Sequence, residues 1–167
     1  MGTIELHLAE HVVGRILLKL TKFWLNSAIK RISSTTELVA DSEFKGCAYP
    51  NLHIKLTISS KAALTLCIEQ LEADVYFGGL FAGTIIYTGN SDDTIQAKGK
   101  KDINLQFVPP LQIYLLKHLK CDLLKGIVKF HCFLGSGIIH FSICPKETEN
   151  VEQANKVIKE LLLKIHQ

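Results

Sequence analysis

The feature that most constrains this chain is a change of hydrophobic period near residue 36. Before it, polar residues recur every three or four positions; after it, apolar and polar residues alternate one by one. Leu52-His53-Ile54-Lys55-Leu56-Thr57-Ile58 alternates without a fault, as do Leu71-Glu72-Ala73-Asp74-Val75 and Ile103-Asn104-Leu105-Gln106-Phe107. Successive side chains of a strand point to opposite faces, so each run specifies a half-buried strand, with Leu52, Ile54, Leu56 and Ile58 turned inward together. Further strands are expected at about 36–44, 62–68, 80–87, 127–134 and 137–143. Gly78-Gly79, Gly89-Asn90-Ser91-Asp92, Lys98-Gly99-Lys100 and Gly135-Ser136-Gly137 supply the turns between them. A parallel sheet would need a helix between most strand pairs, so this pattern predicts an antiparallel sandwich or barrel.

Residues 11–31 carry polar groups at His11, Arg15, Lys19, Lys22, Asn26 and Lys30. At about 100° per residue these six cover roughly a third of a helical wheel. Val13, Ile16, Leu17, Leu20, Phe23, Trp24 and Ala28 occupy the remainder, which makes this a basic amphipathic helix. Arg15, Lys19 and Lys22 interrupt its middle, and a bilayer-spanning helix is therefore not expected. Nothing here reads as a cleavable signal peptide, and Leu6 stands where a myristoylation pattern wants Ser or Thr.

Charge follows the same division. Residues 1–32 hold five bases against Glu5 and Glu10, whereas residues 33–167 hold 14 bases and 14 acids. A neutral body argues against a nucleic-acid partner, which would demand a basic stripe on the folded surface. Electrostatic attraction is confined to the N-terminus, where Arg15, Lys19, Lys22, Phe23, Trp24, Lys30 and Arg31 are the candidate contact residues. Two settings suit them. The apolar sector can enter a membrane interface while the bases face anionic headgroups, or it can pack on the sandwich or on a partner subunit with the bases in water.

An internal helix is expected after Pro109-Pro110, through Leu111 to Leu119, and a last one at about 149–166, with Val151, Ala154, Val157, Ile158, Leu161, Leu162 and Ile165 on one stripe. The resulting division is an N-terminal helix at 1–32, a β domain at 33–148 and a C-terminal helix at 149–167.

The ordered words of residues 36–143 carry a resemblance. The strand Leu52 to Ile58 leads to Leu71-Glu72-Ala73-Asp74-Val75-Tyr76-Phe77-Gly78-Gly79, then Leu80-Phe81-Ala82-Gly83-Thr84, then Ile95-Gln96-Ala97-Lys98-Gly99, then the helical run from Leu111. This order resembles the late embryogenesis abundant type-2 domain, also called the water-stress and hypersensitive-response domain. Where that family usually has Asn-Pro-Asn after its first long strand, this chain has Ser59-Ser60-Lys61. The resemblance implies a seven- or eight-stranded immunoglobulin- or fibronectin-like sandwich with one helix, and a non-enzymatic role that is often membrane-associated, lipid-contacting or stress-linked.

The titratable residues do not spell a reaction. Cys47, Cys67, Cys121, Cys132 and Cys144 are odd in number and lack C-x-x-C spacing, so mostly buried thiols in a reducing, cytoplasmic setting are expected. His118 and Cys121 could share a helix face, but no third group orients them. His131 and Cys132 fall on opposite faces of a strand, and His140 with Cys144 would need distant partners to hold a metal. Asp92-Asp93 reads as a solvated turn, and Gly-Ser-Gly at 135–137 as a hairpin. Neither a metal nor another cofactor is expected. The chain reads as a non-enzymatic β-sandwich module attached through residues 11–31 to a membrane surface or larger assembly, peripheral at a membrane in the cytoplasm. A structural subunit of a homo-oligomer or multi-protein particle is the alternative, and an enzyme with a Cys/His site a minor one.

Overall fold

A computed structural model of the chain describes residues 2–46, 51–116 and 120–147, together with Lys156, Glu160 and Leu163, with side chains from His11 onward. The elements in order are α1 (Gly2–Ser34), β1 (Thr36–Lys45), β2 (Asn51–Ser60), β3 (Leu66–Phe77), β4 (Leu80–Thr88), β5 (Thr94–Ile95), β6 (Lys100–Phe107), α2 (Leu111–Tyr114), β7 (Cys121–Cys132), β8 (Gly135–Ile143) and β9 (Lys146–Glu147). The protein is mainly β, with two sheets and an N-terminal helix. One sheet runs β6-β2-β1-β9 and the other β4-β3-β7-β8, with β5 also pairing β3. All these pairings are antiparallel except the short β1–β9 contact.

The inner faces of both sheets contribute to one core. Leu52, Ile54, Leu56 and Ile58 of β2 are all at most 1% exposed, so the alternation read from the sequence is the buried register. They stand opposite Phe44, Ser42, Ala40 and Leu38 of β1. The other sheet contributes Leu71, Ala73, Val75 and Phe77, and the Phe44 and Phe77 rings meet across the core at 6.2 Å.

The expected strands 62–68 and 71–75 fall on one strand that begins only at Leu66, residues 62–64 forming a bend before it. β3 contains a bulge at Glu69, where its register with β7 jumps from Ile68↔Phe130 to Gln70↔Lys129. The inserted residue reverses the phase, so Leu66 and Ile68 face inward before it and Leu71, Ala73, Val75 and Phe77 after it. Read as a string, that reversal looks like a break. The expected 127–134 strand starts earlier, at Cys121, and its turn is Phe133-Leu134 rather than Gly-Ser-Gly. Cys132 pairs with Gly135, which puts residues 135–137 inside β8. Gly78 and Gly79 close the β3–β4 hairpin as predicted, with φ of +56° and +76° that side chains disfavour.

The internal helix is a single turn, Leu111–Tyr114, with Pro110 as its N-cap residue and Ile113 and Tyr114 buried. Residues 117–119 of the expected run lie outside the described residues, as do Cys47, His118 and the expected helix at 149–166 apart from the exposed Lys156, Glu160 and Leu163.

Candidate functional site

α1 extends from Gly2 to Ser34, longer at both ends than the periodic segment 11–31. At about 1.5 Å per residue its 33 residues span roughly 50 Å. Neither glycine nor asparagine stops it. Instead a run of hydroxyls accepts the role: Ser33 donates to the Ile29 carbonyl at 3.1 Å, Ser34 and Thr35 to that of Arg31 at 2.9 and 3.0 Å, and Thr36 to that of Ile32 at 2.9 Å. These bonds reach the carbonyls of Ile29, Arg31 and Ile32 in the last two turns, and Thr35 alone lies between the helix and β1.

Among the described residues, the last two turns of α1 are the part that rests on the body. Leu25, Ala28 and Ile29 are half-buried and Ile32 is buried. The contact depends on two glycines of β8. A Cβ at Gly137 would lie 2.6 Å from Ile29 Cγ2, and one at Gly135 would lie 3.3 Å from Ile29 Cδ1. Gly-Ser-Gly is thus a seat for the helix, which its turn-like composition concealed.

The docked face is not the wide apolar sector. Val13, Ile16, Leu17, Leu20, Phe23 and Trp24 are each at least half exposed, reaching 71% and 73% at Phe23 and Trp24. With about 100° between successive residues, this stripe is centred roughly 130° around α1 from the face formed by Leu25, Ala28, Ile29 and Ile32. The expectation that the whole sector, Ala28 included, could pack on the body is therefore corrected: Ala28 belongs to the docked side, and the other six side chains remain exposed.

Every sequence-predicted contact residue lies on this helix, and Arg15, Lys19, Lys22, Phe23, Trp24, Lys30 and Arg31 are all exposed. Arg15, Lys19, Lys22 and Lys30 border one side of the apolar stripe, whereas Arg31 lies at its C-terminal end. No ion pair engages these five bases among the described residues. Arg15, Lys19 and Lys22 also line a groove of about 430 Å³ together with His11, Gly14 and Leu18. One apolar residue near this region escaped the sequence reading. Phe133, 84% exposed, sits at the tip of the β7–β8 hairpin, two positions before the Gly135 on which Ile29 packs. Assigning it to a strand hid its exposure; a turn placed two residues earlier would have revealed it.

Several of the remaining polar groups pair with one another. A second concavity of about 380 Å³ on the outer face of β1, β2 and β6 is lined by Asp41, Glu43, Lys45, His53, Lys55 and Asn104 among others. Its charges are of mixed sign: Lys45 pairs with Glu43, and Lys55 with Asp102 at 2.9 Å. His131 is exposed beside Glu69, Nδ1 to Oε1 3.0 Å, while Cys132 is buried on the opposite face. Cys121 is buried too, and that burial pushes its thiol up to about 12, far from a reactive thiolate. Cys67, expected as a buried thiol within its alternating run, is half-buried, and Cys144 is exposed. Among the described residues no group of three His, Cys, Asp or Glu side chains could hold a metal ion, and no helix is long and apolar enough to cross a membrane.

The expected solvated turn at Asp92-Asp93 is half right. Asp92 is exposed, but Asp93 is only 4% exposed and organises the turn. Its Oδ2 accepts the Tyr87 hydroxyl at 2.6 Å and the Asn90 N–H at 2.9 Å, while Lys101 Nζ lies 3.4 Å from Oδ1. Burial pulls the Asp93 carboxyl up, but these three donors outweigh it and hold the pKa below its ordinary value. The same hydrogen bond, with burial and the carboxylate charge behind it, pushes Tyr87 up to about 12.

No family model matches this chain, and no curated protein matches it. Solved structures are similar over about two thirds or more of the chain. The solution structure of an Arabidopsis thaliana protein is 14% identical, with a TM-score of 0.46 over 66% of this chain and 80% of that one. A solution structure of a protein provisionally assigned as late embryogenesis abundant is 13% identical, with a TM-score of 0.40 over 86% and 89%. A crystal structure of a protein provisionally assigned as ApaA, from Bordetella pertussis, is 5% identical, with a TM-score of 0.44 over 68% and 94%.

Proposed function

We propose that this protein is a non-enzymatic binding module of the late embryogenesis abundant type-2 kind, its two sheets forming an immunoglobulin-like sandwich, held at an anionic membrane surface by α1. The observation that carries the proposal is the orientation of the helix. Val13, Ile16, Leu17, Leu20, Phe23 and Trp24 face away from the side that docks on β8, so the fold itself leaves them uncovered. A helix built only to cover the core would turn its widest apolar sector inward.

The bases favour a lipid surface as the occupant. Arg15, Lys19, Lys22 and Lys30 border the stripe, the arrangement of a helix lying in the interface with apolar side chains among acyl chains and bases among headgroups. Each base near an anionic surface contributes about 1 kcal/mol, and the apolar side chains add their transfer from water. Residues 33–167 carry no net charge, so the excess of bases lies in the N-terminal segment.

Trp24 is the chain's one tryptophan, so its fluorescence reports directly on the stripe. With the full chain and vesicles containing anionic phospholipid, the expected results are co-sedimentation, a blue shift of Trp24 emission, and loss of both at high salt or with neutral vesicles. Replacing Lys19 and Lys22 by Glu should abolish both signals while leaving the thermal melt unchanged, because exposed charges add little to stability. Protein that stays in the supernatant at low salt with unshifted emission would overturn the proposal.

A further inference from the structure

Among the described residues the two sheets present edges at β6, β9, β8 and β4, with the two-residue β5 on the same side of β3 as β4. An edge strand offers unpaired backbone donors and acceptors to any other strand, and folded proteins block such edges with charge, shortness or cover. β6 opens with Lys100, Lys101 and Asp102, and β9 is two residues long. β8 and β4 are the two long edges without Lys, Arg, Asp, Glu or Pro, and α1 rests on the face of the first β8 residues. The residue order of β4 singles it out. Leu80-Phe81-Ala82-Gly83-Thr84-Ile85-Ile86-Tyr87-Thr88 contains neither a charged residue nor a proline, and among the described residues it pairs only with β3. Ile86 is 67% exposed, with Thr84 and Thr88 exposed on the same side of the strand.

The order of these residues selects the partner. After the irregularity near Ala82, residues 84–88 run in unbroken register with β3, from Thr84↔Asp74 to Thr88↔Gln70. They read Thr-Ile-Ile-Tyr-Thr, nearly the same in both directions about Ile86. Two antiparallel copies related by a two-fold axis at Ile86 would set Ile86 against its counterpart, Thr84 against Thr88 and Ile85 against Tyr87. Threonine against threonine and β-branched against β-branched or aromatic side chains are favourable cross-strand pairs, and no like charges meet.

We propose that β4 is the pairing edge of a homodimer, in which residues 84–88 of two chains join antiparallel and continue one sheet from molecule to molecule. The assembly does not involve the apolar stripe of α1, so it stands or falls separately from membrane attachment.

Sedimentation velocity of the full chain over a concentration series tests this, with the wild type expected to reach twice the 18.6 kDa chain mass. Ile86→Lys should lower that mass to the monomer while keeping a cooperative melt, below that of the wild type only by what association contributes, since the side chain is exposed in the single chain. Phe23→Ser/Trp24→Ser, which alters the stripe of α1, should remain a dimer. Hydrogen exchange of the unsubstituted chain provides a check that needs no variant: the β4 amides that do not pair with β3 should slow as concentration rises. A wild type that stays monomeric, a dimer unchanged by Ile86→Lys, a dimer lost only in the Phe23/Trp24 variant, or β4 exchange independent of concentration would each overturn the proposal.

Discussion

Ile29 of α1 and Gly137 of β8 are in contact because Gly137 has no side chain: an added Cβ would come within 2.6 Å of Ile29 Cγ2 and 2.5 Å of Phe130 Cζ. The absent methyl group sets how closely the helix approaches the sheet. Gly137→Ala should therefore force Ile29, Phe130 or the strand to move, at a cost of about 1–3 kcal/mol for overpacking. Urea unfolding should show a lower midpoint, and limited proteolysis should cut α1 faster than in the wild type. An unchanged midpoint would mean that the helix does not rest on β8 in solution.

Leu56 lies in the middle of β2 with 1% of its surface exposed, opposite Ala40 and Ile103 on its two neighbours. Leu56→Asp would bury a charge with no partner, and the loss should be several kcal/mol, about the whole stability of a domain this size. The expected outcome is a chain without a cooperative melt. A soluble, cooperatively folded variant would contradict the register.

The Tyr87–Asp93 hydrogen bond makes stability depend on pH at both extremes. Asp93 has a folded-state pKa below its ordinary 3.8, so its contribution is complete above that value and disappears as pH falls through the lower one. Tyr87 is raised from 10.0 to about 12, so its contribution is complete below pH 10 and is lost as pH rises toward about 12. Urea midpoints measured against pH should fall along both flanks in the wild type, and Tyr87→Phe should make the alkaline fall shallower, the rest coming from the buried Cys121 thiol, which is also pushed up to about 12. Asp93→Ala, which leaves the Tyr87 hydroxyl and Asn90 N–H without their acceptor, should cost about 1–3 kcal/mol at neutral pH.

Gly89 and Gly14 should respond oppositely to the same substitution. A Cβ at Gly89 would fall 1.9 Å from the Ile68 carbonyl oxygen, beside the bulge, where Gly89 donates its N–H to Glu69 O at 2.9 Å. A Cβ at Gly14 would meet nothing within 4 Å. Thermal melts should show Gly89→Ala clearly destabilised. Far-ultraviolet circular dichroism should show Gly14→Ala at least as helical as the wild type, in line with the roughly 0.5–1 kcal/mol that alanine gains over glycine inside a helix.

Legibility followed locality. The β2 and β6 registers were readable because burial of one face imposes a period of two on neighbouring residues, and the Gly78-Gly79 turn because it needs positive φ at both positions. The bulge at Glu69 was not, since a phase reversal looks the same as a loop until β7 and Gly89 show what the extra residue faces. The Asp93 cluster was equally hidden, because Tyr87 and Lys101 arrive from two other strands.

The candidate surface divides along the same line. The sequence by itself determined that residues 11–31 form a helix with bases on one side and an apolar sector on another, since that pattern depends only on helical pitch and residue order. Which part of the helix the body would cover was decided by tertiary structure, through residues more than a hundred positions away. Gly135 and Gly137 remove the side chains that would hold α1 off β8, and they receive Ile29 rather than Phe23 or Trp24. Helical rotation then carries the widest apolar stripe out to solvent, an outcome no local pattern encodes because it depends on the shape of the surface the helix meets.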